Sequence, residues 1–76
     1  MTITNLLQQK HHINESIAKK MKDDTDELIR LADAMAEAAT SVQGQGYSAF
    51  INAREQFLTT IRSMHEDYSQ IGKNFS

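Results

Sequence analysis

The chain has 76 residues and no cysteine, proline or tryptophan, and eight Lys and Arg against ten Asp and Glu leave a formal net charge of −2. That length holds one domain, the missing cysteines exclude a disulfide framework, and the lack of a basic excess argues against nucleic acid as a partner. No run approaches the roughly 20 apolar residues of a membrane span, and the N-terminal stretch lacks the basic start and apolar core of a cleavable signal, so a cytoplasmic chain, or one exported by another route, is expected.

Residues 1 to 5 are expected to be frayed, with Thr4 or Asn5 able to cap the first helix. From Leu6 the apolar positions are Ile13, Ile17, Met21, Leu28, Leu31, Met35, Ala38 and Val42. After Met21 the steps are 7, 3, 4, 3 and 4, the seam of a helix lying nearly parallel to another. This predicts one helix over about residues 6–42, roughly 55 Å long at ~1.5 Å per residue. Its weak point is Lys22 to Glu27, where Asp24 falls on the seam and Asp24 or Thr25 can cap a restarted helix. Lys19, Lys20 and Lys22 are answered by Asp23, Asp24, Asp26 and Glu27, which reads as a solvated face with local ion pairs. Residues 32–39 are alanine-rich, which favours helix and lets a neighbouring backbone come close.

Two glycines one residue apart, Gly44 and Gly46, then mark a turn at about residues 43–46. Glycine is costly inside a helix and useful where the backbone takes positive φ. Ser48 is placed to cap a second helix over about residues 47–74. Its stripe is Phe50, Phe57, Ile61, Met64, Tyr68, Ile71 and Phe75, advancing by 7, 4, 3, 4, 3 and 4. Ile51 and Leu58 widen it on one side, and Arg54 lies on it with a stem able to pack. Tyr47 and Phe50 read as a plug over the hairpin tip, with a surface recognition patch as the lesser reading, while Gly72 weakens the last turn. The fold class is therefore all-α, a helix-turn-helix hairpin of two long antiparallel helices. Two helices bury only the strip where they meet, so a second hairpin is expected to complete a four-helix bundle.

Residues that carry chemistry are few. His11 and His12 are adjacent, about 100° apart on a helix, and Glu15 follows them by four and three residues, an ordinary exposed arrangement. His65 has no histidine at helical spacing. Gly44-Gln45-Gly46 lacks the third glycine and the lysine of a phosphate loop. No catalytic, cofactor-binding or metal-binding residue is assigned, and Met21, Met35 and Met64 read as core filling.

The run Val42-Gln43-Gly44-Gln45-Gly46-Tyr47-Ser48-Ala49-Phe50 resembles the loop of the WXG superfamily, small helical-hairpin proteins exported by type VII (ESX-type) secretion systems. In that family a tryptophan, any residue and a glycine make the turn, and an aromatic follows early in the second helix. Val42, Gln43 and Gly44 occupy those three places and Phe50 the fourth. The likeness extends to the lack of cysteine and signal peptide, the alanine-rich end of the first helix and the heptads of the second. Val42 stands in place of the tryptophan, so the resemblance is to divergent members, such as the helical partners encoded beside LXG-type toxins of Gram-positive bacteria. Phe75 falls where the family's export signal places an aromatic, but the acidic residue four positions later is not in the sequence.

The resemblance implies a non-enzymatic protein that pairs with itself, a sister protein or the N-terminal helical domain of a toxin, in an antiparallel four-helix bundle. It implies an export substrate, a targeting partner (chaperone) for a larger toxin, or both. Such a chain engages the secretion machinery, is cytoplasmic before export and is then secreted or held at the cell surface. The expected partner-binding residues are Leu28, Leu31 and Met35 of the first helix and Phe57, Ile61, Met64, Tyr68 and Ile71 of the second. The competing reading is a homodimeric helical scaffold or adaptor unrelated to secretion, which needs no turn motif. A small nucleic-acid-binding dimer fits the balanced charge least.

Overall fold

The computed structural model describes residues 3–75, which form two α-helices, α1 Ile3–Ala39 and α2 Gly46–Phe75, of 37 and 30 residues. They run antiparallel as a hairpin measuring 62 × 15 × 12 Å. The all-α hairpin expected from the spacing is the observed fold. Residues 3–5 are helical rather than frayed, so Thr4 and Asn5 lie inside α1; Met1 and Thr2, in the same expectation, lie outside the described residues.

α1 does not break at Lys22–Glu27. Asp24 is half-buried on the seam, and its carboxylate accepts from Lys20 Nζ one turn earlier at 2.9 Å, so it is engaged along the helix rather than capping a new one. The Thr25 hydroxyl donates back to the Met21 carbonyl at 2.8 Å, a bond that continues the same helix.

The turn differs from expectation in place and in mechanism. α1 ends at Ala39, three residues before Val42, which is fully exposed and on no seam. The Thr40 and Ser41 amides close the helix on the carbonyls of Ala36 and Ala38, and Ser41 Oγ accepts from the Gln43 amide at 3.1 Å. The Gln45 carbonyl accepts the first bond of α2, from the Ala49 amide, so Gln45 and not Ser48 holds the N-cap position. Among the described residues no glycine has positive φ. Gly46 is needed for closeness instead. It is buried as the first residue of α2, and a Cβ there would stand 2.9 Å from the Ala38 carbonyl oxygen and 3.0 Å from Ser41 Cβ. Gly44 has open space around it.

The seam follows steps of four and three along both helices. On α1 the residues withdrawn from solvent at this spacing are Lys10, Asn14, Ile17, Met21, Asp24, Leu28, Leu31, Met35 and Ala38. On α2 they are Gly46, Phe50, Ala53, Phe57, Thr60, Met64, Asp67, Ile71 and Asn74. Leu31, at 2% exposure, and Ala53 are the buried apolar side chains, both in the half nearest the turn. There the small residues Gly46, Ala53 and Ala38 let the backbones approach. Toward the open end the seam becomes polar. Lys20 Nζ reaches across to Asp67 Oδ2 at 2.6 Å and Ser63 Oγ at 2.7 Å, and Asn74 Nδ2 donates to Asn14 Oδ1 at 2.8 Å.

Candidate partner-binding face

Two columns of α2 at seven-residue spacing compete for the seam, and the less apolar one occupies it. Phe50, Phe57, Met64 and Ile71 are half-buried against α1, as expected. Their companions in the seam, however, are Ala53, Thr60, Asp67 and Asn74 and not the neighbouring column Arg54, Ile61, Tyr68 and Phe75. That neighbouring column, extended back to Tyr47, stays wet: Tyr47 is 76% exposed, Ile61 41%, Tyr68 70% and Phe75 80%. One residue on a helix is a turn of about 100°, enough to separate a dry position from a wet one. Tyr47 therefore does not plug the tip, and Arg54 is exposed.

The cross-helix contacts say which side of the hairpin each column faces. Lys20 meeting Ser63 places the α1 column of Lys20, Glu27 and Ala34 beside the α2 column of Ala49, Gln56, Ser63 and Gln70. Toward the open end the same α1 column carries Leu6 and Ile13, both exposed, whereas near the turn that side is polar and holds an open groove of about 890 Å³ lined in part by Ala34, Glu37, Ser41, Gln45 and Asn52. On the other side Phe75 shares a shallow groove of about 290 Å³ with Leu7, His11, Asn14, Ala18 and Asn74. The α1 column there is His11, Ala18, Thr25, Ala32 and Ala39, all exposed and mostly small. The two sides differ: one is polar near the turn with Leu6 and Ile13 toward the open end, and the other sets the α2 column Tyr47, Ile61, Tyr68 and Phe75, interrupted by Arg54, beside a column of mostly small residues on α1. Ile29, exposed on α1, and Leu58, partly exposed on α2, flank this second face.

The residues expected to bind a partner accordingly divide. Leu31 is sealed inside the hairpin, and Leu28, Met35, Phe57, Met64 and Ile71 are half-buried in the seam, so these hold the hairpin together first. Ile61 and Tyr68 are exposed, and so are Phe75 and Tyr47. In the turn, Val42, Gln43 and Gly44 are exposed, Gly46 is buried and Phe50 half-buried. Apolar spacing does not single out Ala53, Thr60, Asp67 and Asn74; their seven-residue spacing from Gly46 was the available signal, hidden because apolarity favoured the next column.

Two places carry a clear electrostatic shift, Lys20 and the Glu27–Arg30 pair. Bonds from Lys20 to Asp67 and then Asp24 hold its ammonium above the ordinary value of 10.5. Arg30 lowers Glu27 and is itself raised by that carboxylate. His11 and His12 both approach Glu15 Oε1, at 3.1 and 3.4 Å, on an exposed surface. Among the described residues no group of three or more His, Cys, Asp and Glu is placed to hold a metal ion, and no helix is long and apolar enough to cross a membrane.

No protein-family model, curated protein or solved structure matches the chain.

Proposed function

We propose that the chain is a small non-enzymatic protein of type VII secretion, WXG-like, that works by docking a helical partner. It is an export substrate, a targeting partner for a larger helical effector such as an LXG toxin, or both, and is cytoplasmic until exported. The observation that supports this reading is the wet column Tyr47, Ile61, Tyr68 and Phe75 beside the small residues of α1. A largely apolar strip, broken by Arg54, on a hairpin with so little interior fits a helix-docking surface. The turn-motif resemblance and the hairpin layout supply the secretion context.

The test is co-expression with the N-terminal helical domain of a toxin encoded beside the gene. A stable complex is expected, together with loss of toxin export when the gene is deleted. Tyr68→Asp should abolish the complex while leaving the helical circular-dichroism signal intact, since Tyr68 lies outside the seam. Absence of both the complex and the export defect would falsify the reading.

One observation favours the scaffold alternative. Val42 makes no use of the position where the family has its tryptophan: it stands fully in solvent. A homodimeric adaptor needs nothing from the turn beyond the bend itself. Unchanged toxin export in the deletion strain, with a stable homodimer in solution, is the outcome that selects it.

A further inference from the structure

The seam between the helices is unevenly apolar, and sulfur sits where it is thinnest. From the level of Asp24 to the open end its apolar side chains are Ile17, Met21, Met64 and Ile71, and the other seam positions are polar. Lys20 bonds both Ser63 and Asp67, so the next residue, Met21, lies level with Met64, which falls between those two. Both methionines are half-buried, held in the seam yet open to a small molecule from solvent. We infer that Met21 and Met64 form a paired modification site, where hydrogen peroxide converts both thioethers to sulfoxides and thereby opens the outer half of the hairpin.

At each site a sulfur lone pair attacks one oxygen of the peroxide. An S–O bond forms as the O–O bond breaks, sulfur gives up two electrons, and the departing hydroxide takes the proton of the transferred oxygen and leaves as water. The apolar side chain becomes a polar one. Its new oxygen needs a donor at a level where donors are engaged. Lys20 Nζ, with three N–H groups, already bonds Asp24, Ser63 and Asp67, and the Thr60 hydroxyl donates to the Gln56 carbonyl. A sulfoxide that stays in the seam displaces one of these bonds, and one that turns to water takes its side chain out of the seam. Either way Ile17 and Ile71 are left as the apolar contacts of the outer half. Met35 is placed differently: near the turn it shares the seam with Leu31, Phe50 and Ala53, which peroxide leaves unchanged. The chain has no cysteine, so methionine is its only sulfur. Reduction of the sulfoxides restores the seam.

The full chain, treated with hydrogen peroxide at neutral pH, is followed by peptide mass mapping, circular dichroism and amide hydrogen exchange. Oxygen uptake at Met21 and Met64 is expected to proceed in step with loss of helical signal. Amide protection should fall first in the outer half of both helices and later beside the turn. Methionine sulfoxide reductase with a thiol reductant should return the signal. A chain carrying Met21→Leu and Met64→Leu, changes that conserve side-chain volume, should keep its helical signal through the same treatment, whereas Met35→Leu should lose it as the wild type does. Full oxidation at both sites with unchanged helical signal overturns the proposal, as do sulfurs at 21 and 64 that stay reduced while Met35 oxidises. A leucine-substituted chain that loses its signal as the wild type does overturns it too. The first two outcomes are read on the wild-type chain, and no partner protein takes part.

Discussion

Asn74 donates from Nδ2 to Asn14 Oδ1 at 2.8 Å, joining the last full turn of α2 to α1 across 60 residues of chain. Both amides sit on the seam, in positions an apolar heptad would fill. Such a pair adds little net stability but fixes which level of one helix meets which level of the other. Asn74→Ala is expected to cost about 1 kcal/mol, because the half-buried Asn14 amide loses its partner. Replacing both by leucine should leave stability equal or higher while broadening the amide NMR spectrum of the open end. Denaturant titration and a two-dimensional NMR spectrum check the two halves, and a sharp, single-species spectrum from the double variant counts against a register role.

Lys20 supplies a second cross-link, to Asp67 and Ser63, and its direction with pH is determined. Its ammonium is held above the ordinary 10.5 in the folded chain. A group raised on folding contributes fully below its unfolded value and loses that contribution as pH climbs through the folded one. The stability difference between the wild-type chain and Lys20→Met should therefore be flat from neutral pH to about 10 and shrink above it. Thermal melts at a series of alkaline pH values measure this, and a difference that grows with alkali contradicts the assignment.

Glu27 runs the other way. Its carboxyl is lowered from 4.5 by the Arg30 guanidinium one turn on. The pair's contribution is present above that ordinary value and fades as pH falls through the lowered one. Arg30→Gln should thus change the melting temperature slightly at pH 7 and leave it unchanged at pH 2. Both side chains are exposed, so the neutral-pH effect is expected to be small and reduced by salt.

The two turn glycines should separate sharply under substitution. Gly46→Ala sets a methyl against the Ala38 carbonyl and Ser41, and about 1–3 kcal/mol of destabilisation is expected from overpacking. Gly44→Ala meets open space with no positive φ to lose, and is expected to be neutral or to stabilise by up to about 1 kcal/mol through the unfolded chain. Equal losses at both positions, by urea titration, would mean that the turn needs flexibility rather than closeness.

Leu31 and Val42, both expected on the α1 seam, give a similar contrast. Leu31→Ala should cost about 2–5 kcal/mol, since that side chain is 2% exposed. Val42→Ser should stay within about 0.5 kcal/mol, as surface changes do. Chemical denaturation of the two variants side by side decides it.

What the sequence determined on its own was the helices, their order and the single bend. Those are local properties: the 3.6-residue period, the alanine-rich stretch and the paired glycines act within a few residues of where they stand. Half of the α2 seam was legible for the same reason, in Phe50, Phe57, Met64 and Ile71. Which neighbouring column completed it was not legible. Apolarity alone prefers Ile61, Tyr68 and Phe75, yet the tertiary structure seats Ala53, Thr60, Asp67 and Asn74. The rotation of α2 about its own axis is set by contacts across the hairpin: the close approach at Gly46, the reach of Lys20 to Asp67 and the amide pair at the open end. Those contacts join residues 43 to 60 positions apart or lie in a turn whose path no periodicity encodes. They turn an apolar column outward, and the exposed face exists because of that rotation.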